Sequence, residues 1–353
     1  MAKMIDGRLA YADRLRAFAI LAVVLLHISA NYMDASAVTS AAWTTAAVYN
    51  SLTRWSVPVS IMLSGMFLLD PKKSLPLPAL FFRHILRLAA ALLVWGTLYA
   101  MVDLAAAGAA LTWDNMFSTF LQVLRGNTHY HLWYLYMLLG LYLVTPVLRA
   151  FTRGATWAEF HYALLFGLLL FLNALLQVFW PSSTIALYLQ RMEIYLFMGY
   201  TCCYVAGYYF RHYTIGRVAE ILFYLLGAAG LAVTVLGTLY LSHRDGAQNM
   251  TLAGYTTPNV LLTAVALVVL FRYAFGPSEE RSRNQSVAVV ARTSFGIYLV
   301  HDLFILLLRH FGLFALPIPA AVAIPLWTAV VFLLSFCVAW PIHKIPFVGR
   351  YLS

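Results

Sequence analysis

Arg16 and His27 stand eleven residues apart in the first apolar run of the chain. At about 100° and 1.5 Å per residue, that spacing makes nearly three whole helical turns and about 16 Å of rise. One helix face would therefore carry a guanidinium near a membrane rim and, directly above it, an imidazole near mid-depth. Neutral histidine can take a proton from a hydroxyl near pH 7. The pair suits a charged donor anchored at the rim with its reactive end held deep. A histidine that only hydrogen-bonds a neighbouring helix is the plainer explanation of His27. Asn31, one turn further on, is placed to help orient the ring.

Other polar side chains sit where a bilayer makes them costly. The third apolar run opens with Phe82-Arg83-His84-Ile85-Leu86-Arg87. In a regular helix Arg83 and Arg87 share a face, and two planar guanidinium groups match phosphate oxygens. Ordinary positive-inside anchoring explains them equally well. The fourth run opens with His129-Tyr130-His131-Leu132-Trp133-Tyr134. An interfacial aromatic belt accounts for Trp133 and Tyr134, but not for His131. Arg191 and Glu193 begin the sixth run. Two residues apart on a helix, they cannot face each other, so they line an acceptor pocket or pair with other helices. The ninth run carries Ser294, Tyr298 and His301 on one face, with Asp302 beside them. Tyr298 and His301 either share a cavity with His27 or bond neighbouring helices. There is no Gly-x-Ser-x-Gly elbow, Walker loop or His-Glu-x-x-His motif, and no nucleophile–base pair, which favours direct transfer by a histidine base. Cys202, Cys203 and Cys337 have no metal-ligand spacing, so no metal is expected.

The elements that must position these groups follow from composition. Of 353 residues, 63% are hydrophobic and 10% charged, against about 25% charged in a soluble domain. Lipid must be the solvent for most of the surface. The net charge of +10 lies in short loops between apolar runs, a pattern that sets membrane orientation and does not indicate nucleic acid. A span needs about 20 apolar residues. Ten runs qualify: roughly 11–33, 43–69, 79–104, 131–152, 160–180, 188–210, 217–242, 252–275, 287–310 and 318–343. The expected fold is an all-α integral membrane protein, a bundle of about ten transmembrane helices forming one membrane-embedded domain over 1–353. A short interfacial helix is expected around Trp113 to Leu124. With the amino terminus inside, Arg54, Arg125, Arg191, Arg244 and Arg309 fall on the far side and the other 18 of the 23 Lys and Arg residues on the cytoplasmic side. Both termini are therefore expected to be cytoplasmic. The first run ends in polar residues (His27, Ser29, Asn31), so no cleavable signal is expected.

Four stretches carry a family resemblance: Asp13-Arg14-Leu15-Arg16 leading to His27; Arg54-Trp55-Ser56-Val57-Pro58 leading to Ser64-Gly65; His131-Leu132-Trp133-Tyr134 leading to Leu141-Tyr142-Leu143-Val144-Thr145-Pro146; and Ser294-Phe295-Gly296-Ile297-Tyr298-Leu299-Val300-His301. In this order they resemble the acyltransferase-3 family of integral membrane O-acyltransferases, in the branch that includes the acetyltransferase of enterobacterial common antigen. The resemblance implies ten core helices in a bacterial inner membrane, an acyl-CoA donor (usually acetyl-CoA), and a carbohydrate acceptor on a lipid carrier or envelope glycan. It implies catalytic roles for Arg16 and His27. The family's donor-binding arginines have two residues between them. Here Arg83 and Arg87 have three, and His84 takes the place of the first arginine, so Arg83, His84 and Arg87 are the donor-site candidates. Candidates for the acceptor site are His131, Trp133, Glu193, Tyr298 and His301, with Tyr298 or His301 as a donor to the oxyanion. The implied partners are membrane lipid and the carbohydrate, with a homodimer compatible. The competing reading is a transporter or flippase for a lipid-linked glycan. It explains a polar, aromatic-lined cavity but not a base in phase with a rim arginine, and no pair of broken helices marks a transport site.

Overall fold

In lipid, backbone N–H and C=O groups have no water to bond, so apolar runs close their hydrogen bonds internally as helices. The computed structural model describes residues 9–110, 112–161, 176, 179–180, 200–276, 285–346 and 348–352. Every regular element among them is helical: α1 (Ala10–Asp34), α2 (Ala41–Thr53), α3 (Ser56–Leu68), α4 (Leu77–Ala106, with a π turn at Phe81–Ile85), α5 (Trp113–Leu124), α6 (Trp133–Gly154), α7 (Thr201–His212), α8 (Arg217–Asp245), α9 (Pro258–Phe275), α10 (Gln285–His310), α11 (Ala320–Lys344) and α12 (Val348–Leu352). Seven of these, α1, α4, α6, α8, α9, α10 and α11 with their flanking turns, are long and apolar enough to cross a membrane. The chain is a multi-pass membrane protein. The expected runs at 160–180 and 188–210 lie mostly outside the described residues, apart from the part of the second that forms α7. The amphipathic α5 forms where a short helix is expected, with Trp113 and Phe117 exposed.

One expected span is corrected. The run 43–69 is not continuous: α2 ends at Thr53 and α3 starts at Ser56. Side chains take the carbonyls at the break. Thr53 Oγ1 donates to Tyr49 O (3.1 Å) and Asn50 O (2.9 Å), and Trp55 Nε1 to Leu52 O (2.6 Å). Pro58 has no N–H to return to the preceding turn, a lack that costs nothing in the first turn of a new helix.

α1 is the central element, packed against α2, α3, α9, α10 and α11. Beside it α3 and α7 approach so closely that their backbones touch. A Cβ at Gly65 would lie 1.8 Å from the Tyr204 carbonyl oxygen, and one at Gly207 would lie 1.8 Å from that of Met62. Small residues at such crossings let helices meet in lipid. Gly207→Ala must force the pair apart, at about 2–3 kcal/mol. We expect a lower unfolding midpoint for the detergent-solubilised protein, and an unchanged midpoint would show that the seam can relax.

Three arginines cap the ends of these helices. A helix leaves its last carbonyls unpaired. Buried Arg149 of α6 donates to Leu68 O (2.6 Å) at the end of α3 and to Asp70 O (2.8 Å) and Lys73 O (2.5 Å) beyond it. Arg211 donates to Met66 O (2.8 Å) and lies 3.3 Å from Asp70 Oδ2. Arg272 donates to the carbonyls of Phe210 and Tyr213 at the end of α7. Sequence alone counted these three only as orientation charges.

Candidate active site

α1, α3, α4, α6 and α10 enclose a cavity of about 260 Å³. On α1 it is lined by Arg16, Ile20, Val23 and His27. Steps of four, three and four residues keep one helical face turned inward, so Arg16 and His27 do share it. Ser56, Ser60 and Ser64 form the matching row on α3. Ser60 and Ser64 turn their hydroxyls to carbonyls four residues back, at 2.8 and 3.1 Å.

The Arg16 end is cationic. Arg16 lies 3.7 Å from Asp13, one turn earlier on the same helix, and its guanidinium is 5.4 Å from the Phe67 ring centre. From α4, His84 and Arg87 line the cavity, with Arg87 stacked 4.8 Å from the Phe295 ring centre. Arg83 is not with them. It is exposed, one turn nearer the helix start, and absent from the lining. The inward row of α4 runs Leu80, His84, Leu88, Leu92, and of the three expected donor-site residues His84 and Arg87 line the cavity while Arg83 does not.

At the His27 end, rings from three elements gather. The turn Tyr130–Leu132 before α6 supplies Tyr130 and His131, His129 precedes it, and α10 supplies Tyr298, His301 and Asp302. The ring centres of His301, Tyr130 and His131 lie 5.0, 5.4 and 6.4 Å from that of His27. Tyr130 Oη donates to Asp302 Oδ1 (2.7 Å) and lies 3.2 Å from His27 Nδ1. With its hydrogen given to the carboxylate, the phenol oxygen can only accept from His27. The hydrogen of neutral His27 is thereby held on Nδ1, and Nε2 keeps the lone pair a base requires.

Asn31 does not orient the ring. Its Nδ2 donates to the His27 backbone carbonyl (2.9 Å), and its Oδ1 accepts from Arg309. The expected oxyanion donors are also committed elsewhere. Tyr298 Oη donates to His131 O (2.5 Å), and His301 Nδ1 donates to Tyr298 O (2.6 Å). Ligating atoms of His129, His131 and Asp302 lie within 4.8 Å of one another. That spacing suits either a metal ion or mutual hydrogen bonds.

Beyond His27 the lining is aromatic. Trp133 and Tyr255 stack at 5.7 Å with planes 20° apart, and the Arg54 guanidinium stands 5.3 Å from the Tyr255 ring centre.

A family model described as an acyltransferase domain matches residues 9–344. The chain belongs to the acyltransferase-3 family. No curated protein and no solved structure matches it. In this acyltransferase the structure brings together Arg16, His27, His84, Arg87, His131, Trp133 and Tyr298 around one cavity. His301 packs behind His27 and is fully buried. Glu193 and Arg191 lie outside the described residues. Tyr130, His129 and Tyr255 were missed by sequence reasoning. Tyr130 and Asp302 are 172 positions apart, and no local spacing links them.

Proposed function

We propose that this acyltransferase moves an acetyl group from cytoplasmic acetyl-CoA to a hydroxyl of a cell-envelope glycan or lipid-linked sugar, with His27 as general base. The observation that carries the reading is one cavity with His84, Arg87 and Arg16 at one end and His27 at the other. Its volume falls below the roughly 300–1,000 Å³ of pockets that engulf a whole drug-sized ligand. A slender pantetheine arm fits such a space while its nucleotide phosphates stay at the cationic mouth. The stacked Trp133 and Tyr255 offer apolar faces to a sugar ring entering from the other end.

The reading includes ten spans and two cytoplasmic termini in a bacterial inner membrane. The seven long helices, the α2–α3 pair and the apolar runs 160–180 and 188–210 would supply the ten, and the distribution of Lys and Arg supports the orientation. His27 Nε2 takes the sugar hydroxyl proton, the oxygen attacks the thioester carbonyl, and the departing thiolate recovers that proton.

Membranes carrying the protein, given radiolabelled acetyl-CoA and envelope glycan, should transfer label to the glycan. Absence of both label transfer and CoA binding by the solubilised protein would overturn the reading. Within it, Arg87→Ala removes a charge-assisted contact of about 1.5 kcal/mol or more and should raise the KM for acetyl-CoA about tenfold. Arg83→Ala should change it less than about twofold. Equal effects of the two substitutions would return Arg83 to the donor site.

A further inference from the structure

Asp302 is buried with only 1% of its surface exposed, yet both carboxylate oxygens have histidine-linked neighbours. Oδ1 accepts from Tyr130, which holds the His27 hydrogen on Nδ1. Oδ2 lies 3.2 Å from His129 Nδ1 and 3.9 Å from His131 Nδ1. Those two nitrogens are 3.0 Å apart and share one hydrogen bond. A hydrogen between them is held on the nitrogen nearer the negative charge, that of His129. A lone pair there would face the carboxylate. His131 Nδ1 is then the acceptor, and neutral His131 must carry its hydrogen on Nε2.

That Nε2 is buried and has no hydrogen-bond partner, on a ring that lines the cavity. An unpaired buried donor costs about 1–3 kcal/mol, and a catalytic role is one of the few things that retains such a group beside a cavity. Of the three rings around His27, His131 alone has a hydrogen to offer. Tyr130 has given its hydrogen to Asp302, and His301 donates from Nδ1 to the Tyr298 carbonyl.

We infer that His131 Nε2–H is the oxyanion donor, and that Asp302, acting through Tyr130 on one side and His129 on the other, sets opposite tautomers on His27 and His131. This rests on the acyl-transfer reading above. In the step, His27 Nε2 takes the hydroxyl proton and the sugar oxygen bonds to the thioester carbon. The carbonyl π pair moves onto oxygen, which accepts the His131 Nε2–H bond. The pair returns as the C–S bond breaks, and the thiolate takes the proton from His27. His131 is a catalytic residue in this step. Asp302, His129 and Tyr130 are positioning residues.

The decisive experiment reads the hydrogens directly. In the full chain, labelled with ¹⁵N-histidine and reconstituted in bilayers, nitrogen NMR should show the His27 hydrogen on Nδ1 and the His131 hydrogen on Nε2. A His131 hydrogen on Nδ1, or metal coordination at that nitrogen, would overturn the inference. Asp302→Asn should scramble both assignments and lower kcat by about 10²-fold or more, with the KM for acetyl-CoA within about twofold. His131→Leu should lose about 10²–10³-fold in kcat, and His131→Gln, which keeps an N–H donor, should recover at least about tenfold of that. Equal losses in the glutamine and leucine variants would remove His131 from the oxyanion role. If the wild type transfers no acetyl group, the oxyanion role falls with the reading it rests on, while the spectrum still decides where the hydrogens lie.

Discussion

His27→Ala is expected to lower acetyl transfer by about 10²–10⁴-fold, the usual contribution of a positioned general base, while the protein still binds CoA. The two effects separate because His27 and the cationic mouth lie at opposite ends of the cavity, about 16 Å apart along α1. Alanine removes the ring that meets Tyr130 and His301 but leaves Arg16, His84 and Arg87 in place. The measurement is single-turnover transfer at saturating donor, with CoA binding measured separately on the same preparation and expression matched. Equal rates for the two chains would dismiss His27 as the base. Loss of CoA binding along with transfer would mean that the cavity had collapsed and that its two ends are not independent.

The second large effect is on folding. Arg149→Leu should destabilise the solubilised protein by about 3–5 kcal/mol, since three carbonyls at and beyond the end of α3 lose their shared donor. Leucine is apolar and offers nothing to Leu68, Asp70 or Lys73. Arg149→Lys should recover little. One ammonium is a compact point of charge, whereas the guanidinium presents a planar fork that reaches all three oxygens. Thermal or denaturant midpoints of all three proteins provide the test. A lysine variant as stable as the parent would mean that charge alone, and not the fork, holds this corner. The third arginine of the set, Arg272, does the same for α7 from another helix.

Much of this architecture can be read from the chain. Seven of the ten apolar runs correspond to helices long and apolar enough to cross a membrane, because lipid leaves a backbone few other choices. Arg16 and His27 were legible as a pair because a single helix fixes their relative angle. Legibility ended where positions depend on more than one element. Nothing in Arg54-Trp55 announced that α2 and α3 part there, since the bonds that take up the freed carbonyls come from Thr53 and Trp55 side chains. Arg83 and Arg87 looked equivalent by spacing, yet only Arg87 reaches the cavity, because the depth of the mouth along α4 is set by the facing helices. The Asp302–Tyr130–His27 chain joins three helical segments, so its members carried no common signal. By sequence, Asp302 stands out only as the neighbour of His301.

The stacked pair at the far end has a consequence for how such a protein diverges. Trp133 begins α6, and Tyr255 lies in the turn before α9. Neither side chain has a hydrogen bond to Asp302, Tyr130, His129 or His27 among the described contacts. On the acceptor role proposed for them, duplicated copies of this gene can exchange these two rings and acquire new acceptors one substitution at a time. Each intermediate would keep the Asp302–Tyr130–His27 chain. Asp302 has no such freedom, because any change there reaches both histidines at once. Natural variation in what is modified should accumulate at the aromatic rim, and ancestry should be easiest to trace through the carboxylate behind it.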